Sequence, residues 1–224
     1  HLKLGLAHMG FRASEVREEH DYADFLAERY GYSHVEKLDH AAAQAICPSP
    51  KYVGGAIDRT AGHLHPLAYA FGLARAAAGA GAEIFEGTEV TSIEQGTPAT
   101  IRTSNGSVKA EHVVLACNGY LGGLNGQVAA RVMPINNFVV ATEPLGDAAA
   151  KVLTQDIAVA DTRVVVNYFR LSHDNRLLFG GERPMVIASR KTSLRWCANR
   201  CVRFSRICVM CGSITHGVGR WPSQ

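Results

Sequence analysis

Val16, Ala23, Leu26 and Tyr30 recur at close to helical spacing, with charged residues between them. That period predicts an amphipathic helix over residues 14–30. Ser14 stands where an N-cap is expected, Glu15 and Glu18 suit the positive end of the helix dipole, and Gly31 suits a left-handed stop. Asp39 is placed to cap a short helix that ends at Ile46, ahead of Pro48 and Pro50. Residues 51–58 read as a strand with glycines at a bend. The run Gly62-His-Leu-His-Pro66 opens a second helix. It is Ala-rich from Leu67 to Ala78, with Pro66 in the first turn, where its missing N–H costs nothing.

After Gly81 the period drops to two. Strands are predicted over 83–86, 89–94, 100–103 and 108–110, the last two flanking the hairpin signal Asn105-Gly106. The continuous apolar run 112–117 predicts a strand buried on both faces. Further strands are expected over 132–142 and 163–172, with a short helix over 147–153 between them. His173-Asp-Asn175 turns the last strand into a return over 176–179. Irregularly mixed helices and strands place the chain in the α+β class.

The most informative chemistry lies at Ala116-Cys-Asn-Gly-Tyr120, where the buried run ends in small residues. Such an end lets a ligand approach the backbone, and a following helix would aim N–H groups at a phosphate. A buried strand followed by an ordinary turn is the competing reading. Tyr168 and Arg170 are two apart on one predicted strand, so they project from the same face.

Composition adds limits. The chain has 224 residues, 47% hydrophobic and 19% charged, enough for one or two domains with a core. No apolar run approaches the ~18 residues of a membrane span, and no secretory leader pattern opens the chain. A cytoplasmic location with no membrane partner is expected. The first residue is His1, which reads as a processed chain or a piece of a longer reading frame. Eight of the 23 basic residues fall in 183–224, which holds no acidic residue, leaving 15 basic against all 20 acidic residues in 1–182. Cys197, Cys201, Cys208 and Cys211 crowd the same stretch. A zinc or nucleic-acid module there is the non-enzymatic alternative, but six residues between the pairs is short for a zinc ribbon.

Seven stretches in order carry a resemblance: Tyr52-Val-Gly-Gly-Ala-Ile-Asp58, Gly62-His-Leu-His-Pro-Leu67, Glu89-Val-Thr91, Val114-Leu-Ala-Cys-Asn-Gly-Tyr-Leu121, Ala141-Thr-Glu-Pro-Leu145, Tyr168-Phe-Arg-Leu-Ser172 and Arg176-Leu-Leu-Phe-Gly-Gly181. Over residues 50–182 the chain resembles the D-amino-acid oxidase-like flavoprotein family, most closely its gamma-glutamylputrescine oxidase branch. The resemblance implies FAD as cofactor, a small-molecule amine as substrate, no nucleic-acid partner, and oxidation to an imine that water hydrolyses. It implies that the backbone of Val90 meets the adenine, and that Ala116, Cys117 and Asn118 lie beside the pyrophosphate, Cys117 as a small packing residue. It places Tyr168 and Arg170 on a strand of the substrate-binding sheet, Arg170 toward a substrate carboxylate or in a structural salt bridge, and sets His63 and His65 near the start of the substrate cavity, His65 toward the substrate, with a capping or supporting role as the competing reading for each histidine. No particular catalytic base is implied. A D-amino-acid or sarcosine-type flavin dehydrogenase is the alternative activity.

Two departures qualify the resemblance. The family opens with a strand, a GxGxxG turn and a helix, and no GxGxxG occurs in this chain. Past Gly181 the composition turns abruptly to Arg, Cys and Ser, as a reading-frame slip near Pro184 would produce. The expected organisation is therefore an FAD-dependent oxidoreductase domain over 1–182 without its GxGxxG portion, and an aberrant basic tail over 183–224. Its architecture is expected to be an incomplete Rossmann-like FAD-binding layer plus an antiparallel substrate-domain sheet, a fragment of a two-domain flavoprotein that is itself inactive.

Overall fold

The computed structural model describes residues 2–133, 137–164 and 166–182. They fall into two compact units, one of residues 2–65 with 137–182, the other of 66–133. The expectations for residues 183–224 lie outside the described residues.

The first unit is built on a seven-stranded sheet. Its strands are β1 (Lys3–Gly10), β2 (Val35–Leu38), β3 (Gly54–His63), β7 (Asn137–Ala141), β8 (Ala158–Asp161), β9 (Asn167–Leu171) and β10 (Leu177–Glu182), in the spatial order β2-β3-β1-β8-β9-β10-β7. Every ladder is antiparallel except the central one, where β1 runs parallel to β8 with Leu6 beside Ala158 and His8 beside Ala160. Side chains alternate across the pleat, so the registers sort residues into two faces. One face carries Ala7, Met9, Ile57, Val159, Phe169, Phe179 and Val140, all buried. Helix α2 (His40–Ile46) and a 3-10 helix over Gly146–Lys151 contribute Ala43, Ile46 and Ala149 to the same core. The Phe169 and Phe179 rings stack across the β9–β10 hairpin with centroids 6.0 Å apart.

The other face meets α1 (Ala13–Tyr30), whose Val16 sits against Gly10 and Gly54, while His20 Nε2 lies 2.9 Å from the Gly55 carbonyl oxygen. The helix begins one residue earlier than expected, and its N-cap is Arg12 rather than Ser14. Glu15 explains the shift. Its carboxylate accepts from the Phe11 and Arg12 backbone N–H groups at 2.8 and 3.2 Å and from the Thr162 hydroxyl at 2.7 Å. These bonds, led by that from Thr162, hold its pKa below the usual carboxylate value. Gly31 ends the helix at φ 65°, and Asp39 caps α2 by accepting from Ala42 N–H at 2.8 Å, both as the sequence predicts.

The second unit holds α3 (Pro66–Gly79), a three-stranded antiparallel sheet of β4 (Val90–Glu94), β5 (Ala99–Thr103) and β6 (Gly106–Ala110), and the short α4 (Gly126–Ala129). The hairpin forms next to the expected Asn105-Gly106 signal but turns one residue earlier, at Ser104-Asn105, with Gly106 already paired to Thr103 in β6. Two predicted strands do not form. Residues 83–86 are irregular, with Ile84 and Phe85 exposed, and residues 112–117 are irregular, with Val114 86% exposed. A strand needs a neighbour for its backbone groups, and no described strand pairs with either run. The stretch 62–66 also differs: β3 continues through His63, and α3 starts at Pro66. The long strand expected over 163–172 is β9 alone. β8 precedes it, held by Asp161, which accepts from Asn167 N–H at 2.9 Å.

Replacing Phe179, 0% exposed, with Ala removes a ring from the centre of the core. Chemical denaturation is expected to show a loss of about 3–5 kcal/mol, whereas Ile84→Ala on the exposed stretch shifts stability by less than ~0.5 kcal/mol.

Candidate functional site

The register brings Tyr168 and Arg170 together on the face opposite the Phe169 core. Tyr168 is flanked by Ala160 and Gly180, and Arg170 by Ala158 and Leu178. Continuing the rows reaches His8 beyond Ala160 and Leu6 beyond Ala158. Around β9 this face is only half-buried. The Tyr168 ring lies directly over Gly180, where a Cβ would overlap it. Glycine at 180 is therefore what lets the ring rest on the β10 backbone.

Arg170 donates from Nη1 to the Leu171 carbonyl oxygen at 3.2 Å and makes no ion pair with any described residue. The structural salt bridge considered for it is thus not formed among the described residues. His63 ends β3 opposite Lys3, its side chain 10% exposed. Its Nε2 lies 3.4 Å from the Asp156 carbonyl oxygen and 3.5 Å from Asp156 Oδ1, and Lys3 Nζ lies 3.1 Å from Asp156 Oδ2. Burial holds the His63 pKa below its ordinary value, and the charges of Arg170 and Lys3 push the same way, against the backbone bond and charge of Asp156. The resemblance sets His63, like His65, near the start of the substrate cavity or in a capping or supporting role. Its contact with Asp156 depends on β1 pairing with both β3 and β8, which no local pattern announces. His65 is exposed, two residues beyond the end of β3.

In the second unit Val90 begins β4 opposite Thr103. Ala116 and Asn118 are exposed and Cys117 is half-buried at the entry to a 3-10 helix over Asn118–Tyr120. The buried strand expected to lead into this turn is absent, but the turn has the expected small side chains, and Asn118 adopts φ 49°. Its backbone is open to a ligand, so the residues fit the edge of a dinucleotide site. They do not replace a glycine turn at a helix N-terminus, since the chain has no GxGxxG.

An open cavity of about 440 Å³ lies elsewhere in the first unit, lined by Asp147, Thr154, Asp156, Ser172, His173 and Asn175 among others. None of the residues expected from sequence lines it. No cluster of metal-ligating side chains occurs among the described residues, and no described helix is long and apolar enough to cross a membrane.

The chain is α+β, with a seven-stranded mixed sheet and a separate antiparallel sheet, and the class of protein it falls in is the FAD-dependent oxidoreductases. Residues 3–207 match the family described as FAD dependent oxidoreductase, and the chain belongs to it. It is 40% identical over 178 residues to "Probable oxidoreductase OrdL" of Rhizobium meliloti (strain 1021), covering 79% of this chain and 41% of that protein. It is also 40% identical over 156 residues to the gamma-glutamylputrescine oxidoreductase of Escherichia coli (strain K12), covering 69% and 37%. The chain thus spans about two fifths of the length of these curated relatives. Among solved structures, glycine oxidase from Geobacillus kaustophilus superposes with a TM-score of 0.69 at 21% identity, covering 93% of this chain and 56% of that one. L-proline dehydrogenase from P. horikoshii gives 0.71 at 17%, covering 91% and 56%. At these identities the likeness establishes the fold.

Two outcomes test this geometry. Gly180→Ala is expected to cost about 1–3 kcal/mol by forcing the Tyr168 ring off the strand, and to be close to neutral in a Tyr168→Ala background, as a double-mutant denaturation cycle reads. Burial pushes the Cys47 thiol up to about 12, against a backbone bond from Ser49. Alkylation at pH 8 mapped by peptide mass is therefore expected to label Cys117 while sparing Cys47 until the protein unfolds.

Proposed function

We infer that the chain is part of an FAD-dependent enzyme that oxidises a carboxylate-bearing amine of the gamma-glutamylputrescine type, and that these 224 residues are inactive by themselves. In this reading Val90, Ala116, Cys117 and Asn118 border the flavin, and His65, Tyr168 and Arg170 face the substrate. The observation that carries it is the 40% identity to the Escherichia coli gamma-glutamylputrescine oxidoreductase. Arg170 supports it, as a guanidinium on a half-open face with no ion pair among the described residues.

A bound flavin would supply the hydride acceptor for the carbon beside the amine. The chain's own residues bind and orient. Arg170 offers a planar fork of donors to the substrate carboxylate, a geometry that lysine cannot reproduce. Tyr168, braced on Gly180, walls the same face and restricts where the amine end can lie. The small side chains of Ala116 and Cys117 leave the backbone N–H groups of their turn accessible to a phosphate oxygen.

Without a GxGxxG turn the 224-residue chain is expected to lose FAD on desalting, which a visible spectrum reads; a retained flavin band that bleaches with γ-glutamylputrescine overturns that expectation. Fusing the amino-terminal GxGxxG portion of the Escherichia coli relative to this chain is expected to restore the band and the bleaching. γ-Glutamylputrescine should then be preferred over sarcosine and D-alanine, and the reverse order favours the D-amino-acid or sarcosine-type activity. In that fusion Arg170→Ala is expected to raise KM about 10–100-fold, the loss of one charge-assisted pair.

A further inference from the structure

We propose that Glu19 is a further specificity-determining residue of this site, a carboxylate that receives the amine end of a ligand whose carboxylate end lies on Arg170. The substrate class is thereby narrowed to molecules that hold an amine and a carboxylate apart on a flexible chain, as opposed to simple α-amino acids. The inference rests on the reading of Arg170 as a carboxylate anchor and adds to it an opposing group.

The registers carry it. On the half-open face of the large sheet one row runs His8–Ala160–Tyr168 and the next Leu6–Ala158–Arg170, each crossing β1, β8 and β9. On this face β8 therefore shows only two methyl groups, between longer side chains on both of its neighbours. The result is a trough floored by Ala158 and Ala160, with banks two strand spacings apart, roughly 10 Å between backbones. Floor and β9 bank are half-buried and His8 is exposed, so a ligand can enter. Tyr168, resting on Gly180, and Arg170 form one bank. Helix α1 stands over the other. Its Val16 packs against Gly10 and Gly54, and its His20 Nε2 lies 2.9 Å from the Gly55 carbonyl oxygen. Between these two anchors in sequence, Glu19 turns its carboxylate to β1, with Oε2 4.0 Å from His8 Nδ1.

The two banks differ in charge. Among the described residues Arg170 makes no ion pair, and Glu19 makes only the one with His8, which exists only when the ring is protonated. A guanidinium and a carboxylate thus face each other across an apolar floor, each with capacity for an outside partner. The molecule that complements them carries its charges in the opposite order. The Glu19 side chain is 24% exposed, so water screens its hold on an ammonium group less than it would at an open surface. In an α-amino acid both charges sit on one carbon and cannot meet both banks. A chain of about five methylene groups can, and Ala158 and Ala160 give it an apolar bed. Glu19 in this role binds and orients the amine end.

The test uses the full 224-residue chain and three probes, 6-aminohexanoate, its isomer 2-aminohexanoate, and hexanoate, which lacks the amine. Binding is followed by NMR titration, with the His8 ring signals as a local reporter. 6-Aminohexanoate is expected to bind about 3–10-fold more tightly than either other acid, the size of a partly exposed charge pair, and to move the His8 signals where hexanoate does not. Glu19→Gln should bring 6-aminohexanoate down to the level of hexanoate and leave hexanoate itself unchanged, which also shows that the variant is folded. Arg170→Gln should weaken all three acids. If Arg170→Gln does so, but the preference for 6-aminohexanoate is missing from the unmodified chain or survives Glu19→Gln, the inference is overturned and Arg170 remains an anchor. Binding untouched by Arg170→Gln, in a variant that circular dichroism shows to be folded, or no measurable binding of any of the three acids, overturns the anchor reading and the inference together.

Discussion

The parallel ladder between β1 and β8 is the constraint on which the first unit depends. It joins Leu6–Met9 to Ala158–Asp161, and every other ladder of the large sheet lies to one side of it or the other. Without it the sheet separates into a β2-β3-β1 group and a β8-β9-β10-β7 group, and the apolar row Ile57-Ala7-Val159-Phe169-Phe179-Val140 is cut between Ala7 and Val159. Closing a loop of that length costs only slowly growing entropy, roughly 0.6 kcal/mol per doubling, so a continuous buried row offsets it comfortably. The same ladder sets Tyr168 and Arg170 in rows that continue to His8 and Leu6 of β1. Core and candidate site are two faces of a single registration.

That duality explains how the site is kept. The period of two means that each residue on the half-open face is fixed by neighbours on the dry one. Phe169 is locked by its stack on Phe179, so Tyr168 and Arg170 on either side of it have little freedom to rotate off the face. Gly180 completes the arrangement by giving the Tyr168 ring a flat bed. Positioning of Tyr168 and Arg170 comes from rigid strands, whereas His65 lies in the connection after β3.

Local chemistry was the legible part of the sequence. The Gly31 stop, the Asp39 cap, Pro66 in a first turn and a hairpin between residues 99 and 110 all follow from preferences within a few residues, and all are present, the hairpin turning one residue before Asn105-Gly106. Once the resemblance had pointed to Tyr168 and Arg170, the period of two made them a same-face pair. What could not be read was pairing. β1 begins with Lys3-Leu-Gly-Leu, with no turn signal to frame it, and β8 is four residues long; both exist because each has a partner about 150 positions away. The converse error has the same cause. Residues 83–86 and 112–117 have strand composition, but composition forms a strand only where a ladder awaits it. Ser14 lost its expected cap role because Glu15, tied to Thr162 147 positions away, closes the helix two positions earlier, at Arg12. The contact of His63 with Asp156 was hidden for the same reason.

The central position of β1 also has a meaning in time. A ribosome adds about 5–20 residues per second, so roughly 8–30 s separate the emergence of Lys3–Gly10 from that of Ala158–Asp161. β3 follows soon and can pair with one side of β1. The other side stays a bare, largely apolar strand edge until β8 arrives, and such edges recruit strands from other chains. The nascent chain therefore carries its greatest risk of misassociation during that interval, and a chaperone that shields β1 would matter more to its yield than any gain in the stability of the finished sheet.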